Sequence, residues 1–103
     1  MWATERLHVK SNGDDEVLDL TRKLQDAVDR HHLQHGQVLV FVPGSTAGGG
    51  HSHVRASLLG PSVTLPVEDA KLVLGTWQQV VLIDFDVRPR EREVVLQLSG
   101  EKS

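Results

Sequence analysis

From the start of the chain, Ala3, Glu5, Leu7 and Val9 fall on alternate positions with mostly polar or charged residues between them, a period of two that predicts an exposed-edge strand over 3–9. Ser11 to Asp15 gathers turn formers around Asn12-Gly13, and Glu16 to Leu20 is expected to return as the second arm of a hairpin. The period then changes. Leu20, Leu24, Ala27, Val28 and His31 recur at steps of three and four, so a helix capped by Asp19 or Thr21 is predicted, ending near His35-Gly36 with histidines toward its negative end. Gln37 to Val42 is a continuous apolar run closed by Pro43-Gly44, the pattern of a central strand buried on both faces. After the glycine-rich loop GSTAGGGHSH, the residues from His53 to Leu59 have the spacing of a short helix closed by Gly60-Pro61. Ser62 to Val67 reads as a strand, 68–71 as a turn, and Leu72 to Phe85 as a long or bulged strand carrying GTWQ at its kink. A hairpin turn over 87–90 leads into a last strand from Glu91 to Ser99. Together these elements predict an α+β domain dominated by antiparallel sheet, with one amphipathic helix and one short helix.

Length narrows the picture further. A chain of 103 residues fits one compact domain, 1–103, and its core is modest enough that subunit contacts would help it. With 39% hydrophobic and 24% charged residues it has a globular balance rather than a disordered or fibrous one. The formal charge of −3, with basic residues scattered along the chain, offers no concentrated basic face for nucleic acid or an anionic membrane. Cysteine is absent, so disulfides and thiolate zinc sites are excluded, and a metal must be held by histidine and carboxylate. The start, MWATERLHVK, lacks an apolar signal core and no later apolar run reaches membrane-spanning length, which makes a cytoplasmic protein the expectation.

Candidate chemistry concentrates after the central strand. His51 and His53, one residue apart, point the same way in an extended segment and can reach one ion or one anionic oxygen; exposed loop histidines are the alternative. Zinc would need a third protein ligand, which nothing adjacent supplies. Arg55 at the start of the short helix and the hydroxyls of Ser45 and Thr46 suit phosphate, against a surface arginine and simple turn chemistry. Trp77 can stack a flat heterocycle and Gln78 can read its edge, whereas a tryptophan on a strand is more often core. Asp84 and Asp86 share one strand face and can hold a cation or act as a general base, although charged edge residues are the commoner case. His31 and His35, one helical turn apart, have a metal-compatible spacing without a third ligand.

Read in order, VLVFVPGSTA at 38–47, HSHVRASLLGPS at 51–62, a strand ending in Pro66-Val67, LVLGTWQ at 72–78 and VVLIDFDVRPR at 80–90 resemble the YjbQ-like family, the secondary thiamine-phosphate synthases. The likeness spans nearly the whole chain from Val17. It implies an α+β fold assembled as a homotrimer and a secondary thiamine-phosphate synthase activity, in which a pyrimidine diphosphate is condensed with a thiazole phosphate and pyrophosphate leaves. By position, His51 and His53 match the family's HxH as ligands or proton carriers, and Arg55, Ser45 and Thr46 match its phosphate-handling positions. Trp77 and Gln78 match GTWQ, and a divalent metal, Mg or Zn, is implied at His51 and His53. Two departures stand out. Gly44 occupies the place where many relatives carry a histidine, and Gly48 to Gly50 stands where the family has a few dozen residues. A non-catalytic trimeric protein that binds an anion or metal is therefore the alternative reading.

Overall fold

The computed structural model describes residues 1–43, 61–84 and 89–103. Within them run β1 (Trp2–Ser11), β2 (Glu16–Asp19), α1 (Thr21–Arg30), β3 (Leu33–Phe41), β4 (Ser62–Glu68), β5 (Lys71–Leu72), β6 (Val81–Asp84) and β7 (Arg90–Lys102). Five strands make one antiparallel sheet in the order β1-β7-β3-β4-β5, and β2 pairs with β6 in a separate two-stranded ribbon. The expected α+β, antiparallel-dominated architecture is present. The short helix expected over 53–59 and the turn residues Val87 and Arg88 lie outside the described residues.

One face of the sheet forms the core. Val38 and Val40 of β3, Leu65 and Val67 of β4 and Val94, Leu96 and Leu98 of β7 are buried there, and α1 lays Leu24, Ala27 and Val28 on them. Each large aliphatic side chain removed from water in this way contributes about 1.5–3 kcal/mol. The other face carries Trp2, Thr4, Arg6 and His8 of β1 with Gln37, Leu39 and Phe41 of β3, and no described element lies over it. β3 is thus central in the sheet but buried on one face, not two, because helix and ribbon both pack on the same side.

Several local expectations are corrected. Glu16–Asp19 forms a strand, but its partner is β6 and not β1: Gly13, Asp14 and Asp15 all take positive φ, and this left-handed run swings the chain away from β1. The helix ends at Arg30 instead of near His35, since His32 adopts a φ of 54° and Leu33 enters the sheet as a buried residue. His31 and His35 therefore do not share a helical face. His31 Nε2 lies 3.1 Å from Glu5 Oε1, and His35 sits on β3 facing the turn at Asp69. Glu5 also takes both guanidinium arms of Arg30, and that hydrogen bonding holds its carboxyl below the ordinary glutamate value against the opposing pull of burial, with His31 assisting. The strand expected from Leu72 to Phe85 is broken into β5 and β6, and β6 and β7 do not form a hairpin, since they pair in different sheets.

Two close fits fix the sheet. Gly36 and Gly100 oppose each other across β3 and β7, where a Cβ on either would collide with a backbone carbonyl oxygen, that of Ser99 or His35, and Gly100 holds a φ of 139°. Arg92 on β7 reaches across to the ribbon and donates from Nε and Nη2 to the two oxygens of Asp84, at 2.9 and 2.8 Å. Asp84, fully buried, is thus a structural partner of arginine rather than the open base or cation ligand its alternation suggested. Asp86 lies outside the described residues.

Candidate functional site

Between the core face of β3 and β4 and the ribbon strand β6 lies a largely aliphatic cleft of about 420 Å³. Its walls are Val40, Val42, Val63 and Leu65 from the sheet, Leu20 and Val80 to Ile83 from the ribbon side, and Val73, Leu74, Gln78 and Gln79 from the connection between β5 and β6. Pro61 and Ser62, the tail of HSHVRASLLGPS, complete the rim. Parts of three sequence motifs therefore meet on one cavity: the strand before the proline, the GPS tail and the glutamine of GTWQ. A few polar groups in an aliphatic hollow are the usual composition of a small-molecule site.

GTWQ is a closed turn. Gln78 N–H donates to the Gly75 carbonyl at 3.0 Å, while Gln78 Oε1 accepts from Gly75 N–H at 2.7 Å, so backbone and side chain of one residue grip the same glycine. Gly75 permits this because an added Cβ would stand 3.1 Å from that Oε1. The turn is anchored on both flanks. Val73 N–H donates to Pro66 at 2.9 Å, and Val80 donates to Thr21 Oγ1 at 2.9 Å while accepting from Leu20 N–H at 2.7 Å.

Trp77 stands at the tip, 94% exposed, neither on a strand nor in the core. It lines a second, more polar hollow of about 610 Å³ with Asp19, Thr21, Arg22, Gln25 and Thr76, whereas Gln78 and Gln79 line both. Asp19, at that rim, has its carboxyl held below the usual aspartate value by hydrogen bonding from Thr21. Gln79 escaped the sequence reading. The signal was available in a polar doublet, Gln78-Gln79, set between the apolar runs Leu72–Leu74 and Val80–Ile83.

The remaining candidates divide plainly. His51, His53, Arg55, Ser45 and Thr46, with Gly44, lie outside the described residues. Among the described residues no three histidine, aspartate or glutamate side chains are grouped to hold a metal ion, and no helix is long and apolar enough to cross a membrane.

Comparison with known proteins agrees with the geometry. The family model for "UPF0047 protein YjbQ-like" matches residues 48–101. UPF0047 protein MJ1081 of Methanocaldococcus jannaschii is 25% identical over an alignment of 131 positions that covers 94% of each chain. Because this chain has 103 residues, at least 28 of those 131 positions have no counterpart in it. An X-ray structure from C. acetobutylicum superposes with a TM-score of 0.83 at 27% identity, covering 95% of this chain and 100% of that one. A YbjQ-like protein of unknown function from Sulfolobus solfataricus, at 21% identity and a TM-score of 0.78, covers 98% of this chain and 100% of its own and bears on the fold alone. The chain is a member of the YjbQ-like UPF0047 family.

Proposed function

We propose that the cleft takes a phosphorylated small molecule and that the protein has a secondary thiamine-phosphate synthase-like activity. In that reaction the bond from the pyrimidine-bearing carbon to its diphosphate breaks, the thiazole nitrogen bonds to the same carbon, and pyrophosphate departs. The observation that carries the reading is the convergence of Val42, Pro61, Ser62 and Gln78, each from a family motif, on one aliphatic cavity. Aliphatic walls suit the flat rings and exclude water from a cationic centre, while Gln78 supplies a directional contact. Arg55, Ser45 and Thr46 are assigned to the phosphates, and His51 and His53 to proton or charge handling as the leaving group separates. The described wall offers amides, the Ser62 hydroxyl and hydrocarbon, a donor set that does not suit a divalent ion. The expectation of Mg or Zn therefore rests on His51 and His53, and no step assigned to the described residues passes through a metal.

The test is complementation of a thiamine auxotroph. Rescue by the native chain, abolished by His51→Ala/His53→Ala, is the expected result, and no rescue by a correctly assembled native protein refutes the activity. The second reading, a trimeric anion- or metal-binding protein without turnover, draws support from the 28 or more alignment positions missing here. Homotrimer assembly belongs to both proposals; Trp2 and Phe41, exposed on the sheet face that no described element covers, are apolar area available to such contacts. Sedimentation velocity at trimer mass is expected, and a monomer at micromolar concentration counts against assembly.

A further inference from the structure

We infer that Gln78 meets its ligand in the cleft through its amide nitrogen: the group it recognises is a hydrogen-bond acceptor, a phosphate oxygen or an unprotonated ring nitrogen. The inference rests on the small-molecule reading above and adds the sense of one contact in it.

A glutamine amide ordinarily offers both an acceptor and two donors, so by type alone it matches either edge of a heterocycle. Here one of the two lone pairs on the oxygen is already committed. Oε1 accepts from Gly75 N–H at 2.7 Å, and the same glycine is tied back by Gln78 N–H at 3.0 Å. The orientation of the amide follows from chemistry: a backbone N–H can face only the oxygen, because turning the amide over would set two donors against each other. Both Nε2 donors have no partner among the described residues while the oxygen is already engaged, so the amide nitrogen is the end with the most capacity left for a ligand. The surrounding anchors to Pro66, Leu20 and Thr21 hold the turn in place before any ligand arrives, which lowers the ordering cost of the contact. Gln79, next along the chain and lining the same two hollows, has no such hydrogen bond from Gly75.

The substitution that isolates this property is Gln78→Glu. A carboxylate still accepts from Gly75 N–H, so the turn persists, but the donor is gone. Gln79→Glu adds the same charge one residue on and keeps the Gln78 amide, which separates loss of the donor from simple repulsion. Isothermal titration of the full chain with two probes, inorganic pyrophosphate and the phosphate-free pyrimidine alcohol, distinguishes the two acceptor sources. Affinity for one probe falls about five- to tenfold in Gln78→Glu relative to Gln79→Glu. A loss confined to pyrophosphate identifies a phosphate oxygen, and one confined to the pyrimidine a ring nitrogen. Equal affinities in the two variants overturn the inference while leaving the small-molecule reading intact, and a native chain that binds neither probe overturns both. The native protein provides a readout that needs no variant to fold: the Gln78 side-chain N–H signals in a nitrogen–proton spectrum shift as the bound probe is added, and unmoved signals under saturating probe overturn the assignment.

Discussion

At the β3–β7 seam, Gly36 and Gly100 face each other so closely that a Cβ on Gly36 would stand 2.8 Å from the Gly100 Cα, and one on Gly100 would stand 2.6 Å from the Gly36 Cα. At the GTWQ turn, Gly75 has only the end of one side chain in its path. The same residue type answers to backbone crowding in the first place and to a single polar grip in the second. The seam is built for stability, and two residues along it Val38 and Leu98 pair as buried hydrocarbon. The turn displays Trp77 at its tip and holds the Gln78 oxygen against Gly75. Loss of packing and loss of a ligand contact should therefore separate cleanly between the two regions.

Gly100→Ala attacks the seam where it is tightest. The added Cβ meets the His35 carbonyl and the φ of 139° is foreign to alanine, so a loss of about 4 kcal/mol or more is expected, read as a fall in the urea midpoint. Arg92→Leu comes next. It takes the Arg92 guanidinium away from the buried Asp84 carboxylate and should cost about 3–5 kcal/mol, much of it regained when Asp84→Leu is added. Regain is the informative result, because it would show that the pair adds little net stability over hydrocarbon of similar size.

Glu5→Gln is smaller and depends on pH. In the native protein the Glu5 carboxyl is held below its unfolded value by Arg30, so its contribution is present at neutral pH and is lost as the pH falls below about 4.3 toward the lower folded value. The variant should be less stable than the native chain at pH 7, and the gap should close on acidification; a gap independent of pH would remove Glu5 from the acid response. Trp77→Ala, at the display end, should leave thermal stability within about 0.5 kcal/mol. A larger drop would mean that Trp77 is covered in the assembled protein, and would break the division between the two regions.

Much of the fold was legible in local patterning. The alternation of Ala3 to Val9, the Leu24, Ala27 and Val28 stripe, the strand from Ser62 and the turn at Asp69-Ala70 all stand where the residues place them. Pairing partners were not, because a period of two states which side of a strand is buried and nothing about its neighbour: β2 reads the same beside β1 or β6. The helix end was misread for a related reason. His31 and His35 fit a helical step, but the next apolar residues, Leu33 and Val38, are claimed by the sheet. Within the candidate site, Gln78 stood out as the polar residue closing GTWQ. The engagement of its oxygen did not, since that depends on a hydrogen bond from Gly75 across the turn. Asp84 looked like candidate chemistry because alternation exposes one face of a strand, and only the packing of the ribbon against β7 shows that face to be interior.

The position of β7 has a consequence for how this protein is made. β7 lies between β1 and β3, with Trp2 opposite Ser99, so the two earlier strands are not neighbours until residues 90–102 are present. As the chain emerges from the ribosome, the β3–β4, β4–β5 and β2–β6 ladders can close first, while β1 waits with Leu7 and Val9 uncovered. Pairings this distant in sequence belong to the slow class of folding reactions, on the order of milliseconds to seconds. The interval before β7 arrives is when the nascent chain is most open to chaperones, proteases and wrong strand partners.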